Sequence, residues 1–249
     1  MGAVTSGGSP GCGVPEMSVV MPVHNEARVL ADVVDGLIHH VLDRPLECEL
    51  VVVDDRSTDG SPSILAAAAR GDARITVLRN ARRLGHGASV RRGIDESTGR
   101  WVLLVDSDGQ VDPADFGLLW DRADSNDLVL GVRTGRSDPR HRLVLTRATQ
   151  GLASLCAGHL VPDPNTPFRL VRRTLLERLA VPEQAFAPAV LVTVGAYRSG
   201  ARVARVPVRH LARPFGRSSL RPRALTKAAI TSAAQTVAYS LRRIEPYER

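Results

Sequence analysis

The sequence predicts an α/β fold, a mostly parallel sheet flanked by helices. Three observations lead there. Short apolar runs alternate with helical patterns through the first two-thirds of the chain, the order expected when helices cover a parallel sheet. The runs read as strands buried on both faces. Polar loops follow five of them, and in such sheets ligands gather beyond the carboxyl ends of the strands.

Met17–His24 reads as the first buried strand. Glu26–His40 follows as a helix, with Leu30, Val33, Val34, Leu37, Ile38 and Val41 at helical spacing and Asn25 placed to cap it. Cys48–Asp55 is the second strand, Ser61–Arg70 an alanine-rich helix and Ile75–Arg79 the third strand. Ala88–Glu96 is helical, with Gly99 as its stop. Trp101–Val105 is the fourth strand and ends in an acidic segment. Pro113 then suits the first turn of a helix running to Arg122, before a fifth strand at Asp127–Val132. Beyond it the pattern predicts helices at Arg142–Gly158 and Ala189–Arg198, strands at Phe168–Val171 and Arg202–Val208, and a basic loop from Arg209 to Arg223. In Leu225–Ile244 apolar residues recur at 230, 234, 237, 241 and 244, which is one helix face. Three parts result: a disordered tail at 1–15, one domain at 16–220, and a basic amphipathic helix at 221–249.

Composition narrows the partners. The chain has 249 residues, enough for one large core, and its 43% hydrophobic and 24% charged content is ordinary for a globular protein. The net charge of +7 is uneven: from Arg198 onward eleven Arg and one Lys face two Glu, so the remainder is net acidic. A basic C-terminal fifth points to phosphates or an anionic membrane surface. Aromatic residues make up only 4%, too few stacking platforms to suggest nucleic acid. Cys12, Cys48 and Cys156 are widely spaced, which predicts neither a disulfide framework nor a zinc site and fits a reducing cytoplasm. Residues 1–15 lack the basic start and apolar stretch of a signal peptide, and no stretch reaches the length needed to span a bilayer. The expected location is the cytoplasm, peripheral at the membrane face.

Three strand-end motifs carry chemistry. In VLLVDSDGQVDP an apolar strand delivers Asp106 and Asp108 into one loop, with the Gln110 amide oxygen as a third candidate ligand and Gly109 for the turn. Hard divalent cations take oxygen ligands, and magnesium often uses one or two carboxylates plus substrate phosphates. In VVVDDRSTDG, carboxylates at a strand end can accept hydrogens from a nucleobase or ribose, while Asp, Ser, Thr and Gly also build turns. MPVHNE places polar side chains directly beyond the first strand.

In this order and spacing the motifs resemble glycosyltransferase family 2 and its GT-A fold, a Rossmann-like nucleotide-sugar-binding domain. Pro22–Glu26 is similar to the family's P-x-x-N-E, Val52–Gly60 to its V-V-D-D-x-S-x-D-G, and Asp106–Asp108 to its D-x-D. Leu84–Ala88 with Arg92 and Gly93 resembles its glycine-rich segment. Within the family the chain is most similar to the polyprenol-phosphate sugar synthases, the dolichyl-phosphate mannose synthase group. The D-x-D-x-Q loop, Gly131-Val132-Arg133, Asp163 with Pro167–Leu170, and Val206–Val208 followed by Arg213–Ser218 carry this likeness. Pro167 stands where the group has glycine, and Ser219 where it often has lysine.

The resemblance implies an inverting hexosyltransferase that uses Mg2+ or Mn2+, a nucleotide-diphosphate sugar of the GDP-mannose or UDP-glucose type, and a lipid phosphate acceptor, polyprenyl phosphate. Asp108 and Gln110 would bridge the ion to the donor diphosphate, with Asp106 on the metal or the ribose. Asp55 and Glu26 would hold base and ribose, beside Pro22, His24 and Gly85. Arg133, Arg169 and Arg213, with Ser218, would bind phosphate, since a guanidinium matches phosphate oxygens in a fork. Were the acceptor a hydroxyl, Asp163 is the candidate base. The partners implied are the nucleotide sugar, the lipid phosphate, and a membrane surface or membrane protein, with no nucleic acid. A soluble acceptor and a non-catalytic nucleotide-sugar binding module remain the alternatives.

Overall fold

The computed structural model describes residues 14–135, 140–182, 185–212 and 222–248. Seven strands form one sheet: β1 (Met17–Val23), β2 (Cys48–Asp54), β3 (Ile75–Arg79), β4 (Trp101–Leu104), β5 (Leu128–Thr134), β6 (Arg169–Arg172) and β7 (Val203–Arg209). Their order across the sheet is β3-β2-β1-β4-β6-β5-β7. All neighbours run parallel except β6, which lies antiparallel between β4 and β5. The expectation of a mostly parallel sheet holds.

Alternation along the strands explains why helices cover both faces. Met17, Val19, Met21 and Val23 of β1 enter one core with Leu30, Val33, Leu37, Leu65, Phe116 and Leu119. Val20 points to the other face, where Val90, Leu128, Leu175, Leu179 and Val192 form a second core. The helices that supply these residues are α1 (Leu30–Leu37), α2 (Ser61–Gly71), α3 (His86–Glu96), α4 (Phe116–Trp120), α6 (Arg173–Leu179) and α7 (Pro188–Arg198). Two more, α5 (Arg140–Ala157) and α8 (Pro222–Ser240), pack against each other and against α7. No described helix is long and apolar enough to cross a membrane.

Several elements differ from the sequence reading. The first helix starts at Leu30 rather than Glu26, and Asn25 does not cap it. Asn25 has φ 57° and its Oδ1 accepts from the Thr58 amide at 2.8 Å, so it ties two loops together instead. The helix then loosens into a π-helical turn, Ile38–Leu42. The third helix begins two residues early, at His86, because Gly85 adopts φ 92° just before it. The segment at Pro113 is a 3-10 turn, capped by Asp112 accepting from the Ala114 amide at 2.9 Å, and α4 after it stops at Trp120. Helix α6 was not expected, and α8 runs 222–240 rather than 225–244.

Candidate active site

The strand register aligns the ends that matter. Val23 of β1 sits beside Asp54 of β2, so His24 and Asp55 emerge together at the rim. Val20 pairs with Leu104, which brings the acidic loop after β4 to the same edge. These loops surround a cavity of about 530 Å³ lined by Pro22, His24, Asn25, Glu26, Asp55, Arg83, Gly85, His86, Ser89, Asp106, Ser107 and Asp108. The structure thus brings together seven predicted positions: Pro22, His24, Glu26, Asp55, Gly85, Asp106 and Asp108.

Much of the rim is built by the second motif acting as a clasp. Asp54 accepts from the Ser57 amide at 2.8 Å, and Asp59 accepts from the amides of Ala27 and Ser61, both at 3.0 Å. The Ser57 and Ser61 hydroxyls accept from the Asn25 and Glu26 amides. His24 Nδ1 lies 2.8 Å from the Asp55 carbonyl oxygen. A carbonyl only accepts, so Nδ1 carries a proton, while Nε2 lies 3.4 Å from the Asn25 side-chain nitrogen.

Asp55 is 3% exposed. It accepts from the amides of Leu84 and Gly85 at 2.7 and 2.8 Å and from the Asn80 amide group at 2.8 Å. Burial alone would raise its carboxyl, but the hydrogen bonds from Leu84, Asn80 and Gly85 outweigh it and hold the group below the usual aspartate value. Asp55 therefore anchors the glycine loop to β2.

In the acidic loop the buried Ser107 hydroxyl donates to the Pro22 carbonyl at 2.9 Å, and Gly109 turns at φ 71°. Asp106 Oδ1 lies 2.9 Å from His86 Nε2. Burial opposes charge on both groups. The attraction and hydrogen bond between them prevail, so the Asp106 carboxyl sits low and the His86 imidazole high relative to their ordinary values. Asp108 accepts from the Gln110 amide at 3.1 Å.

Gln110 is not among the residues lining the cavity. Its side-chain nitrogen lies 3.4 Å from His210 Nε2 and its carbonyl accepts from the Leu211 amide, so the expected third ligand is drawn toward the end of β7. Among the described residues no group of three His, Cys, Asp or Glu could hold a metal unaided. Two carboxylates facing an open cavity fit an ion that completes its shell with substrate phosphates, as magnesium commonly does.

The arginines take unequal places. Arg133, at the carboxyl end of β5, forms a bidentate pair with Asp163, Nε to Oδ2 at 2.8 Å and Nη2 to Oδ1 at 2.9 Å. Asp163 is 4% exposed. Arg169, expected at a phosphate, is 1% exposed. Its Nε and both terminal nitrogens donate to the carbonyls of Thr166, Pro164 and Ala189 and to the Thr193 hydroxyl. That pattern uses all five guanidinium donors, so Arg169 pins the 163–167 loop to α7 and has none left for a phosphate. Burial lowers its pKa to about 10, against the pull of Asp163 and Asp106. Arg213 and Ser218 lie outside the described residues.

His86, Arg83 and Ser89 join the cavity without having been singled out as site residues, and Asn25, expected as a helix cap and within the P-x-x-N-E likeness, joins it too. The sequence places the loop Asn80–Gly87 at the rim, but only the Leu84–Ala88 likeness could have marked His86, and nothing marks Arg83.

Residues 18–180 match the model of glycosyl transferase family 2. A polyprenol monophosphomannose synthase of Mycolicibacterium smegmatis is 30% identical over 215 residues, covering 81% of this chain and 80% of that protein. An undecaprenyl-phosphate 4-deoxy-4-formamido-L-arabinose transferase of Edwardsiella ictaluri is 28% identical over 81% of this chain, which spans 62% of that enzyme's length. Among solved structures, glucosyl-3-phosphoglycerate synthase of Mycobacterium tuberculosis, crystallised with Mn2+, UDP and glucosyl-3-phosphoglycerate, superposes with TM-score 0.71 at 21% identity, covering 94% of this chain and 86% of that one. A mannosyltransferase of Pyrobaculum calidifontis in complex with GDP-mannose and Mn2+ gives 0.60 at 19% identity, covering 92% and 74%. With its mostly parallel sheet, its strand-end cavity and these matches, the chain is a GT-A-fold glycosyltransferase and belongs to glycosyltransferase family 2.

Proposed function

We propose that the chain transfers a hexose from a nucleoside-diphosphate sugar to polyprenyl phosphate, with inversion at the anomeric carbon. The carrying observation is the pair Asp106 and Asp108 on one wall of a 530 Å³ cavity in which Asp55 is already satisfied by protein donors. The named activity of the 30% identical relative supports the lipid phosphate, and the nucleotide and Mn2+ in the solved neighbours support the donor and cofactor classes. GDP-mannose and UDP-glucose are the donors to test.

Asp106 and Asp108 would hold Mg2+ or Mn2+, which when bound offsets the charge on the departing nucleoside diphosphate. His86 keeps Asp106 ionised and oriented. Asp55 holds the Gly85 loop against β2, while His24 and Glu26 line the part of the cavity given to the nucleoside. In the transfer, a phosphate oxygen of the acceptor bonds to the anomeric carbon as the bond from that carbon to the diphosphate oxygen breaks. The electron pair leaves with the nucleoside diphosphate. A phosphate monoester has its second pKa near 6 and is already anionic at neutral pH, so no side chain need remove a proton. This accords with Asp163, whose two oxygens are both taken by Arg133. In this reading Asp163 positions Arg133 at the end of β5 for the phosphate, and Arg213 and Ser218 keep the phosphate role inferred from the sequence. The reading places the enzyme at the cytoplasmic face of a membrane.

The test incubates the protein with Mn2+ or Mg2+, polyprenyl phosphate and labelled GDP-mannose or UDP-glucose, and counts label in the organic phase. Lipid-linked label that disappears in Asp108→Ala is expected. Metal-dependent release of nucleotide with label confined to water would replace the lipid by a soluble acceptor. Donor binding without turnover on any acceptor would leave a binding module.

A further inference from the structure

Helix α8 is amphipathic in the reverse of the usual sense. Its inward face carries Ala228, Thr236, Tyr239 and Ser240, all buried, with the Tyr239 hydroxyl donating to the Leu179 carbonyl at 2.7 Å. Its outward face carries Ile230, Ala234, Val237 and then Leu241, spaced as one helical stripe. Ile230 is 66% exposed and Leu241 81%. Beside it α5 leaves Leu155 80% exposed, and a groove of about 230 Å³ runs between the two helices, floored by Leu152, Ile230 and Ala233. An apolar stripe in water, on a helix whose polar side is already packed, calls for an apolar medium to cover it.

Charge selects that medium. No Asp or Glu occurs between Asp138 and Asp163, the stretch that holds α5, or between Glu183 and Glu245, the stretch that holds α8. The second stretch carries ten Arg and one Lys. Arg147 on α5 and Arg242 and Arg243 just after α8 form the described border and are exposed, with Arg242 over the Tyr239 ring and Arg243 3.3 Å from Glu245. Two copies of this chain meeting through the face would set like charges against each other, whereas an anionic lipid surface matches both the stripe and its border.

We propose that the paired outer faces of α5 and α8 dock the enzyme on an anionic bilayer, with Ile230, Val237, Leu241 and Leu155 entering the interfacial region. The lipid-phosphate reading supplies the purpose of this docking, but the surface is testable without it. The full chain is sedimented with vesicles of phosphatidylcholine alone and of phosphatidylcholine with phosphatidylglycerol, alongside a triple variant Ile230→Ser, Val237→Ser, Leu241→Ser. The parent partitions onto the anionic vesicles and the variant at least about tenfold less, the loss expected when several apolar side chains no longer enter the interface. Nucleotide-sugar binding, unchanged in the variant, certifies its fold. Equal partitioning of parent and variant overturns the proposal, as does a parent that ignores vesicles. A parent that is dimeric in solution and monomeric as the variant also overturns it, by assigning the face to a second copy. Activity on a short, water-soluble polyprenyl phosphate separates the two ideas: its absence with vesicle binding intact fails the acceptor reading alone, and its presence without vesicle binding fails the docking face alone.

Discussion

The Asp55 carboxylate receives the Gly85 amide at 2.8 Å, which joins the end of β2 to the start of α3 across thirty residues of sequence. Leu84 and Asn80 donate to the same carboxylate. Replacing it with an amide removes one acceptor oxygen while leaving the donors in place. Asp55→Asn should therefore cost about 1–3 kcal/mol in urea unfolding, the usual penalty for stranding a buried donor. Donor-nucleotide affinity, followed by calorimetric titration, should fall with it.

The same carboxyl sets a pH dependence. Its folded pKa lies below the unfolded value. Its contribution is complete above the unfolded pKa of about 3.9 and is lost as pH falls through the lowered folded value. Unfolding free energy measured from pH 6 down to pH 3 should drop more steeply for the parent than for Asp55→Asn. Parallel curves would show that Asp55 does not couple to folding.

Arg133 and Asp163 make a pair with little access to water, their side chains 15% and 5% exposed. Removing one partner of such a pair leaves a poorly solvated charge and costs about 3–5 kcal/mol. Asp163→Ala should lower both thermal stability and turnover, and Arg133→Ala with it, with a double variant less damaged than the sum. If Asp163 instead acts as a base on a hydroxyl acceptor, Asp163→Asn would abolish turnover while a comparably destabilised Arg133→Ala retained part of it.

The proposed use of a divalent cation has its own signature. Chelation, or Asp108→Ala, should reduce transfer by about a hundredfold or more, the scale of a lost Lewis acid. Added Mn2+ should restore the chelated parent and fail to restore the variant.

Gly93 lets α3 lie close on the sheet. A Cβ there would stand 2.4 Å from Val20 Cγ1 and 3.3 Å from Val53 Cγ2. Gly93→Ala should destabilise by about 1–3 kcal/mol despite alanine's better helix propensity, because overpacking of a formed core exceeds the gain. Chemical denaturation decides the sign.

The strand ends were legible because buried parallel strands are apolar throughout and end abruptly in polar loops. Asp54, Asp55, Asp106 and Asp108 stand at such boundaries, so their place at the rim followed from chain order alone. Helix α6 was not legible: seven residues span barely two turns, too short for periodicity to rise above its neighbours. Nor could sequence distinguish an arginine for phosphate from one for carbonyls. Arg169 is satisfied by Pro164, Thr166, Ala189 and Thr193, which the chain brings together only once α7 has docked. The stripe on α8 was visible as a periodicity, but periodicity does not say which side faces inward. That is decided by Tyr239, whose hydroxyl finds a backbone acceptor in Leu179, with Thr236 buried on the same side.

The antiparallel placement of β6 also bears on the order in which the chain assembles. Strands β1 to β4 can pair as soon as they leave the ribosome, but the free edge of β4 waits for β6, which begins only at Arg169. At about 5–20 residues per second, that edge stays open for several seconds during synthesis. An uncovered strand of Trp101, Val102, Leu103 and Leu104 is a template for pairing with another nascent chain. Yield of soluble protein should thus depend on translation rate and chaperone supply over residues 105–172 more than over any other stretch, and substitutions that weaken β6 should appear first as aggregation during expression.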